Sequence, residues 1–128
     1  MKKKSFATLK RKLDKLFSEW IRRKVGRDVV TCITCGAVHH WKEIQCGHFI
    51  SRIYLATRWN EQNAHPQCYS CNVLRRGNYG EYSLFMLKMY GQAIIEELIA
   101  LKRRPVKLSR SDLEEMIQTY QAKLGGLP

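Results

Sequence analysis

An α+β fold is expected from three features of this 128-residue chain. Apolar residues recur at helical spacing near both ends. The middle loses that period to cysteines, histidines, aromatics and turn residues, and two Cys-x-x-Cys pairs bracket much of it. Together they predict one domain over residues 1–128, with a small metal-stapled core between helical flanks, at a length that gains from a cross-link.

The first element is an amphipathic helix over about residues 7 to 25. Leu9, Leu13, Leu16, Phe17, Trp20 and Ile21 form its apolar stripe, Lys10, Arg11, Lys12, Lys15, Arg22 and Arg23 fill the remainder, and Gly26 ends it. Residues 29–77 read as short strands and loops around a metal. Helices return over 78–125. Asn78 and Glu81 are spaced as a capping box before "YSLFMLKMY", Gly91 breaks that helix, and "QAIIEELIALKR" forms the next. After Pro105, Ser111 and Glu114 make a second capping box for a last helix whose stripe is Leu113, Met116, Ile117, Tyr120 and Leu124.

Lys and Arg number 23 against 11 Asp and Glu, a net charge of +12 that no fold requires and that a polyanion would attract. Nucleic acid is the leading partner. No apolar run approaches the length of a spanning helix, so no membrane role is expected, and the start "MKKKSFATLKRKLDKLF" lacks the apolar segment of a secretory signal. A cytoplasmic protein would keep its five cysteines reduced, which favours metal ligation over disulfides. Cys32-Ile-Thr-Cys35 and Cys68-Tyr-Ser-Cys71 supply the four thiolates that a structural Zn²⁺ prefers. Neither pair has the alternating strands and helices of a redox fold. Four cysteines saturate zinc, so the ion holds structure and leaves no open position for catalysis. Cys46 is left over as a buried free thiol.

Between the pairs lie Gly47-His48 and Asn63, and Asn72 directly follows the second pair. This order resembles the HNH, or ββα-metal, nuclease motif. The stretches "LDKLFSEWIRRK", "CITCG", "QCGHFISR", "ATRWNEQN", "HPQCYSCNV", "GNYGEY" and "LSRSDLEEMIQTYQAKL" together resemble the phage NinG (Rap) recombination proteins across nearly the whole chain. The order is also similar to phage four-way-junction resolvases of the endonuclease VII type, in which an Asn after the last zinc-binding cysteine ligates a metal. The resemblance implies a zinc-containing, structure-specific DNA endonuclease, acting on branched or Holliday-junction DNA in bacteriophage recombination beside other phage recombination proteins.

By the same resemblance His48 is the general base that activates water. Asn72 supplies an oxygen to a catalytic Mg²⁺ or Mn²⁺ that His48 could share, and Asn63 holds the strand carrying His48. Arg52, Arg58, Arg75, Arg76, Arg22, Arg23 and Lys15 are candidates to grip phosphates without reading sequence. A dimer cutting symmetrically suits a branched substrate. Trp41, Trp59 and Tyr69 could stack on unpaired bases, with core the favoured assignment for all three.

One departure matters. Many HNH enzymes carry an Asp or His metal ligand directly before the base, where this chain has Gly47. Glu43, Glu61, His65 or Glu81 could substitute, or His48 could bind the metal while His39 or His40 acts as base. The competing function is a non-catalytic zinc adaptor that binds nucleic acid, and Gly47 is its best support.

Overall fold

The computed structural model describes residues 3–128; Met1 and Lys2, where the basic N-terminal run begins, lie outside them. Helix α1 spans Phe6–Arg23, with the Ser5 hydroxyl accepting from the Thr8 amide at its start. It is followed by strands β1 (Val29–Thr31), β2 (Val38–His40) and β3 (Gln45–His48), a short helix α2 (Leu55–Arg58) and strand β4 (Ala64–Gln67). A five-residue π-helical turn, Ser70–Leu74, then leads to α3 (Tyr79–Met89), α4 (Gln92–Lys102) and α5 (Arg110–Gly125). Among the described residues, no helix is long and apolar enough to cross a membrane.

The strands make two separate antiparallel pairs, β1 with β2 and β3 with β4. In the second, Gln45 faces Gln67, Gly47 faces His65 and His48 faces Ala64. Side chains alternate along a strand, so Cys46 and His48 project to one side of this hairpin while Gln45, position 47, His65 and Gln67 belong to the other. The hairpin followed by a helical turn is the unit on which the candidate site is built.

Three apolar clusters hold these parts. The stripe of α1 buries Leu9, Leu13, Phe17 and Ile21 against Leu113, Ile117 and Tyr120 of α5, with Trp59 and Ala64 joining from around the β3–β4 loop. A second cluster surrounds the cysteine pairs with Val30 and Ile44. The third packs Ile50 on Tyr82, Met86 and Leu98, tying α3 and α4 to the hairpin. Burying one such side chain contributes on the order of 1.5–3 kcal/mol, so the α1–α5 seam alone is a major share of the fold's stability.

Two capping expectations are corrected. The α5 box is made by Ser109 and Asp112, whose reciprocal bonds measure 2.9 and 3.0 Å, in place of Ser111 and Glu114. "SRSD" offers the same S-x-x-acid spacing two residues earlier, so the helix starts at Arg110, next to Leu108, which packs on the α1–α5 cluster. Asn78 makes no capping bond, because its backbone is left-handed at φ 46° and its amide donates instead to Cys71 Sγ at 3.6 Å.

Candidate functional site

The four cysteines converge. Their sulfur atoms all lie within 4.8 Å of one another, and Cys35 Sγ and Cys68 Sγ are 3.7 Å apart. A tetrahedral zinc with Zn–S bonds of about 2.3 Å has an edge of roughly 3.8 Å, so the set fits this ion. Three of the cysteines are buried and Cys35 is exposed. Burial opposes ionisation of Cys32, but hydrogen bonds from the Thr34 hydroxyl and neighbouring amides prevail and bring its thiol down to about 6. One member is thus ready to be a thiolate, the form that binds metal.

The π-helical turn grows directly from the second pair and carries Asn72. A cavity of about 300 Å³ opens beside it, lined by Asp14, Phe17 and Ser18 of α1, Cys46 and His48 of β3, Ser51 and Arg52 of the following loop, Asn72 and Tyr79. His48 is fixed through Nε2, which lies 2.9 Å from the Arg58 carbonyl. A carbonyl only accepts, so Nε2 carries the proton and Nδ1 keeps its lone pair. Burial holds the His48 pKa below its ordinary value and Arg52 adds to this, against the Arg58 carbonyl bond and Asp14, so the ring is neutral at pH 7. Asn72 donates its amide to Gln45 Oε1 at 2.8 Å, which leaves its oxygen for another partner.

Asn63 does not line this cavity and is fully buried. Its oxygen accepts from the Ile50 amide at 2.8 Å, and its nitrogen donates to the Ile50 and Thr57 carbonyls at 3.0 and 3.1 Å. It therefore closes the loop that runs from His48 to the Arg58 carbonyl.

The cavity also contains a carboxylate that sequence reasoning missed. Asp14 accepts from Arg58 Nε and Nη2 at 3.0 and 2.5 Å and from Trp59 Nε1 at 3.0 Å. Nothing local marked it, since it reaches the site only because α1 packs against the hairpin. The acidic alternatives weighed from sequence do not line the cavity. Glu43 and Glu81 are exposed, and Glu61 bonds Trp20, Tyr120 and Lys123. His39 and His40, on β2, do not line it either.

His65 lies on the other side of the hairpin. Tyr82 donates to the Gly47 carbonyl at 2.7 Å, so its oxygen accepts from His65 Nδ1 at 2.9 Å, while His65 Nε2 accepts from Tyr90 at 2.7 Å. Burial pushes the His65 pKa down to about 4, with Lys24 and His48 lowering it further, so it is a neutral strut beneath β3.

Gly47 has a steric reason. A Cβ there would lie 2.6 Å from Cδ and 2.9 Å from Cγ of Gln67, with Gln67 Oε1 nearer still. Gln67 is fully buried and its amide is tied to Thr34 and to the Gly77 carbonyl at 3.2 and 2.9 Å, so it has little room to yield. A ligand at 47 would also start from the opposite side of the hairpin to His48. Gly47→Ala is expected to destabilise the fold by about 1–3 kcal/mol, the usual range for overpacking, as read by urea unfolding. Adding Gln67→Ala should recover part of that loss; a neutral Gly47→Ala would sink the explanation.

The basic candidates divide. Arg58 is clamped on Asp14 rather than free for phosphate. Arg22 bonds Ser18 and the Trp41 carbonyl, and Arg23 pairs with Glu19 and lies 4.6 Å from the Trp41 ring centroid. Lys15, Arg52, Arg75 and Arg76 are exposed. Of the three aromatics assigned to the core, Trp59 is buried and Trp41 half-buried, but Tyr69 is exposed, because it projects from the knuckle between two zinc-type cysteines.

The residues after the knuckle adopt an unusual backbone. Arg76, Gly77 and Asn78 take φ values of 50, 93 and 46°, three successive left-handed residues of which only one is glycine. The Gly77 amide donates to the Cys71 carbonyl at 2.9 Å and Asn78 reaches Cys71 Sγ, so the cysteine cluster fixes the turn.

Fold and site together define a small α+β protein with a four-cysteine cluster able to hold a metal ion and an adjacent His/Asn/Asp cavity. The chain belongs to the NinG family: the family model described as "Bacteriophage Lambda NinG protein" matches residues 1–127. It is 28% identical to protein ninG of Escherichia phage lambda over 106 residues, covering 82% of this chain and 50% of the relative. It is 27% identical to protein ninG of Salmonella phage P22 over 106 residues, covering 82% and 51%. The chain thus spans about half the length of the curated relatives it matches. No solved structure matches it.

Proposed function

We propose that the chain is a metal-dependent DNA endonuclease of HNH type that cuts branched DNA, such as four-way junctions, during phage recombination. The observation that carries this reading is the single cavity in which His48 keeps an unprotonated Nδ1 and Asn72 an unused amide oxygen, on a hairpin and helical turn clipped by four cysteines. Nδ1 of His48 takes the proton of the attacking water as general base. The Arg58 carbonyl holds the opposite ring nitrogen, so the tautomer is set before substrate arrives.

Asn72 and the Asp14 carboxylate are hard oxygen donors suited to Mg²⁺ or Mn²⁺, and His48 is a nitrogen donor in the same cavity. When bound, the ion neutralises charge on phosphate and leaving oxygen. Asn63 keeps the His48 loop closed, and Lys15, Arg52, Arg75 and Arg76 hold the DNA backbone. A homodimer cutting opposed strands of a junction in the cytoplasm, with other phage recombination proteins, completes the proposal.

The test is cleavage of a labelled four-way junction and the matching linear duplex by the zinc-loaded protein, with Mg²⁺, Mn²⁺ or no added divalent ion. Paired incisions that require the ion and favour the junction are the expected result. Binding without incision under every condition would replace this reading with the adaptor, which the absence of a ligand at Gly47 favours.

A further inference from the structure

Tyr79 is the one residue of α3 that lines the His48–Asn72 cavity. It is 48% exposed, as Tyr54 and Tyr69 are at 39 and 53%, but it alone of these three tyrosines lines the cavity. Its ring is seated against backbone: a Cβ on Gly77 would lie only 3.0 to 3.3 Å from Cζ, Cε2 and Cε1 of Tyr79. Gly77 is therefore required twice, by its own φ of 93° and by the ring above it. Its hydroxyl takes part in no hydrogen bond among the described residues, so the fold does not use the polar end.

The turn that presents this ring is the left-handed Arg76–Asn78 segment, tied to Cys71 through the Gly77 amide and the Asn78 side chain. Strained backbone that its surroundings over-determine is a feature of functional sites. Here it delivers a half-exposed ring to the cavity wall, with the exposed cations Arg75 and Arg76 four and three residues before it.

We propose that Tyr79 is a stacking platform for an unpaired nucleobase next to the scissile phosphate, with Arg75 and Arg76 holding the backbone of that strand. The proposal deepens the nuclease reading and rests on it for the position of the phosphate. A paired base inside a duplex has both faces covered by its neighbours, whereas a base at a branch point or in a single-stranded tail offers a free face. The ring thereby selects DNA with a disrupted helix, and it does so without reading sequence.

The experiment measures equilibrium binding of zinc-loaded protein, without added Mg²⁺ or Mn²⁺, to a duplex, to a four-way junction and to a duplex with a single-stranded branch. Tyr79→Ala, Tyr79→Phe and the control Tyr54→Ala, an exposed tyrosine outside the cavity, are compared with wild type after matched thermal midpoints show that they fold. Tyr79→Ala should weaken binding to the branched DNAs by about 5- to 100-fold and to duplex by less than about twofold, as loss of one stacked base predicts. Tyr79→Phe and Tyr54→Ala should bind as wild type does. An equal loss on all three DNAs, a loss in Tyr79→Phe as large as in Tyr79→Ala, or a wild type with no preference for branched DNA overturns the proposal. Because no cutting is needed, a protein that prefers branched DNA through Tyr79 but never cleaves it would sink the nuclease reading alone.

Discussion

Replacing His48 by alanine is expected to slow cleavage by about 10²- to 10⁴-fold, the usual contribution of a positioned general base, while DNA affinity changes by less than about twofold. The retained affinity follows from the site's layout. Lys15, Arg52, Arg75 and Arg76 are exposed, and the His48 ring bonds the Arg58 carbonyl rather than any of them, so their positions do not depend on it. Folding should survive, since the substitution removes one hydrogen bond to the Arg58 carbonyl, worth about 0.5–1.5 kcal/mol.

The wild-type pH profile carries an independent signature of the same residue. Burial lowers the His48 pKa, so the acid limb of its contribution to cleavage is expected to lie below that of an ordinary histidine. The stability sign agrees: a histidine with a depressed folded pKa contributes stability that is present above its unfolded value and lost as pH falls through the folded one. Single-turnover rates from pH 5 to 8 would read this directly. His48→Ala cutting at the wild-type rate, or His39→Ala or His40→Ala matching its loss, would remove His48 from the role of base.

The sequence made some of this site legible and concealed the rest for identifiable reasons. The cysteine quartet could be read because each pair has a fixed local spacing and only four-fold ligation uses both. The stripes of α1 and α5 could be read because Leu9, Leu13, Phe17 and Ile21, and Leu113, Ile117 and Tyr120, repeat at helical period. Asp14 could not be found that way. It sits on a mostly basic helix and becomes a cavity residue only through packing against residues 44 and 45 positions later, Arg58 and Trp59. Gly47 looked like a missing ligand because its neighbour in sequence is His48, yet its neighbour in space is Gln67, a relation set by hairpin register. Tyr79 was hidden behind an expected capping box, since no spacing rule signals three successive left-handed residues.

Removing the cysteine-bound metal should cost the site before it costs the helices. The protein is expected to contain one zinc per chain, and Cys71→Ser or chelation should abolish stoichiometric zinc, measured by elemental analysis. Metal binding of this kind supplies on the order of 10 kcal/mol to a small zinc domain, comparable with the whole stability of a domain this size. Cys71 is the cysteine that ties the cluster to the turn before Tyr79. It lies in the π-helical turn one residue before Asn72, its carbonyl accepts from Gly77, and its sulfur accepts from Asn78. Losing the ion therefore releases Asn72 and the Tyr79 turn together. The α1–α5 seam contains none of the four ligands and is held by Leu13, Phe17, Leu113 and Ile117. Amide exchange should accordingly show protection vanishing over residues 64–79 while it persists longest in α1 and α5, with cleavage lost throughout. A zinc-free protein that keeps its thermal midpoint and the protection of residues 64–79 would mean that the apolar cluster of Val30 and Ile44 holds the knuckle without metal, and that the four cysteines are not its staple.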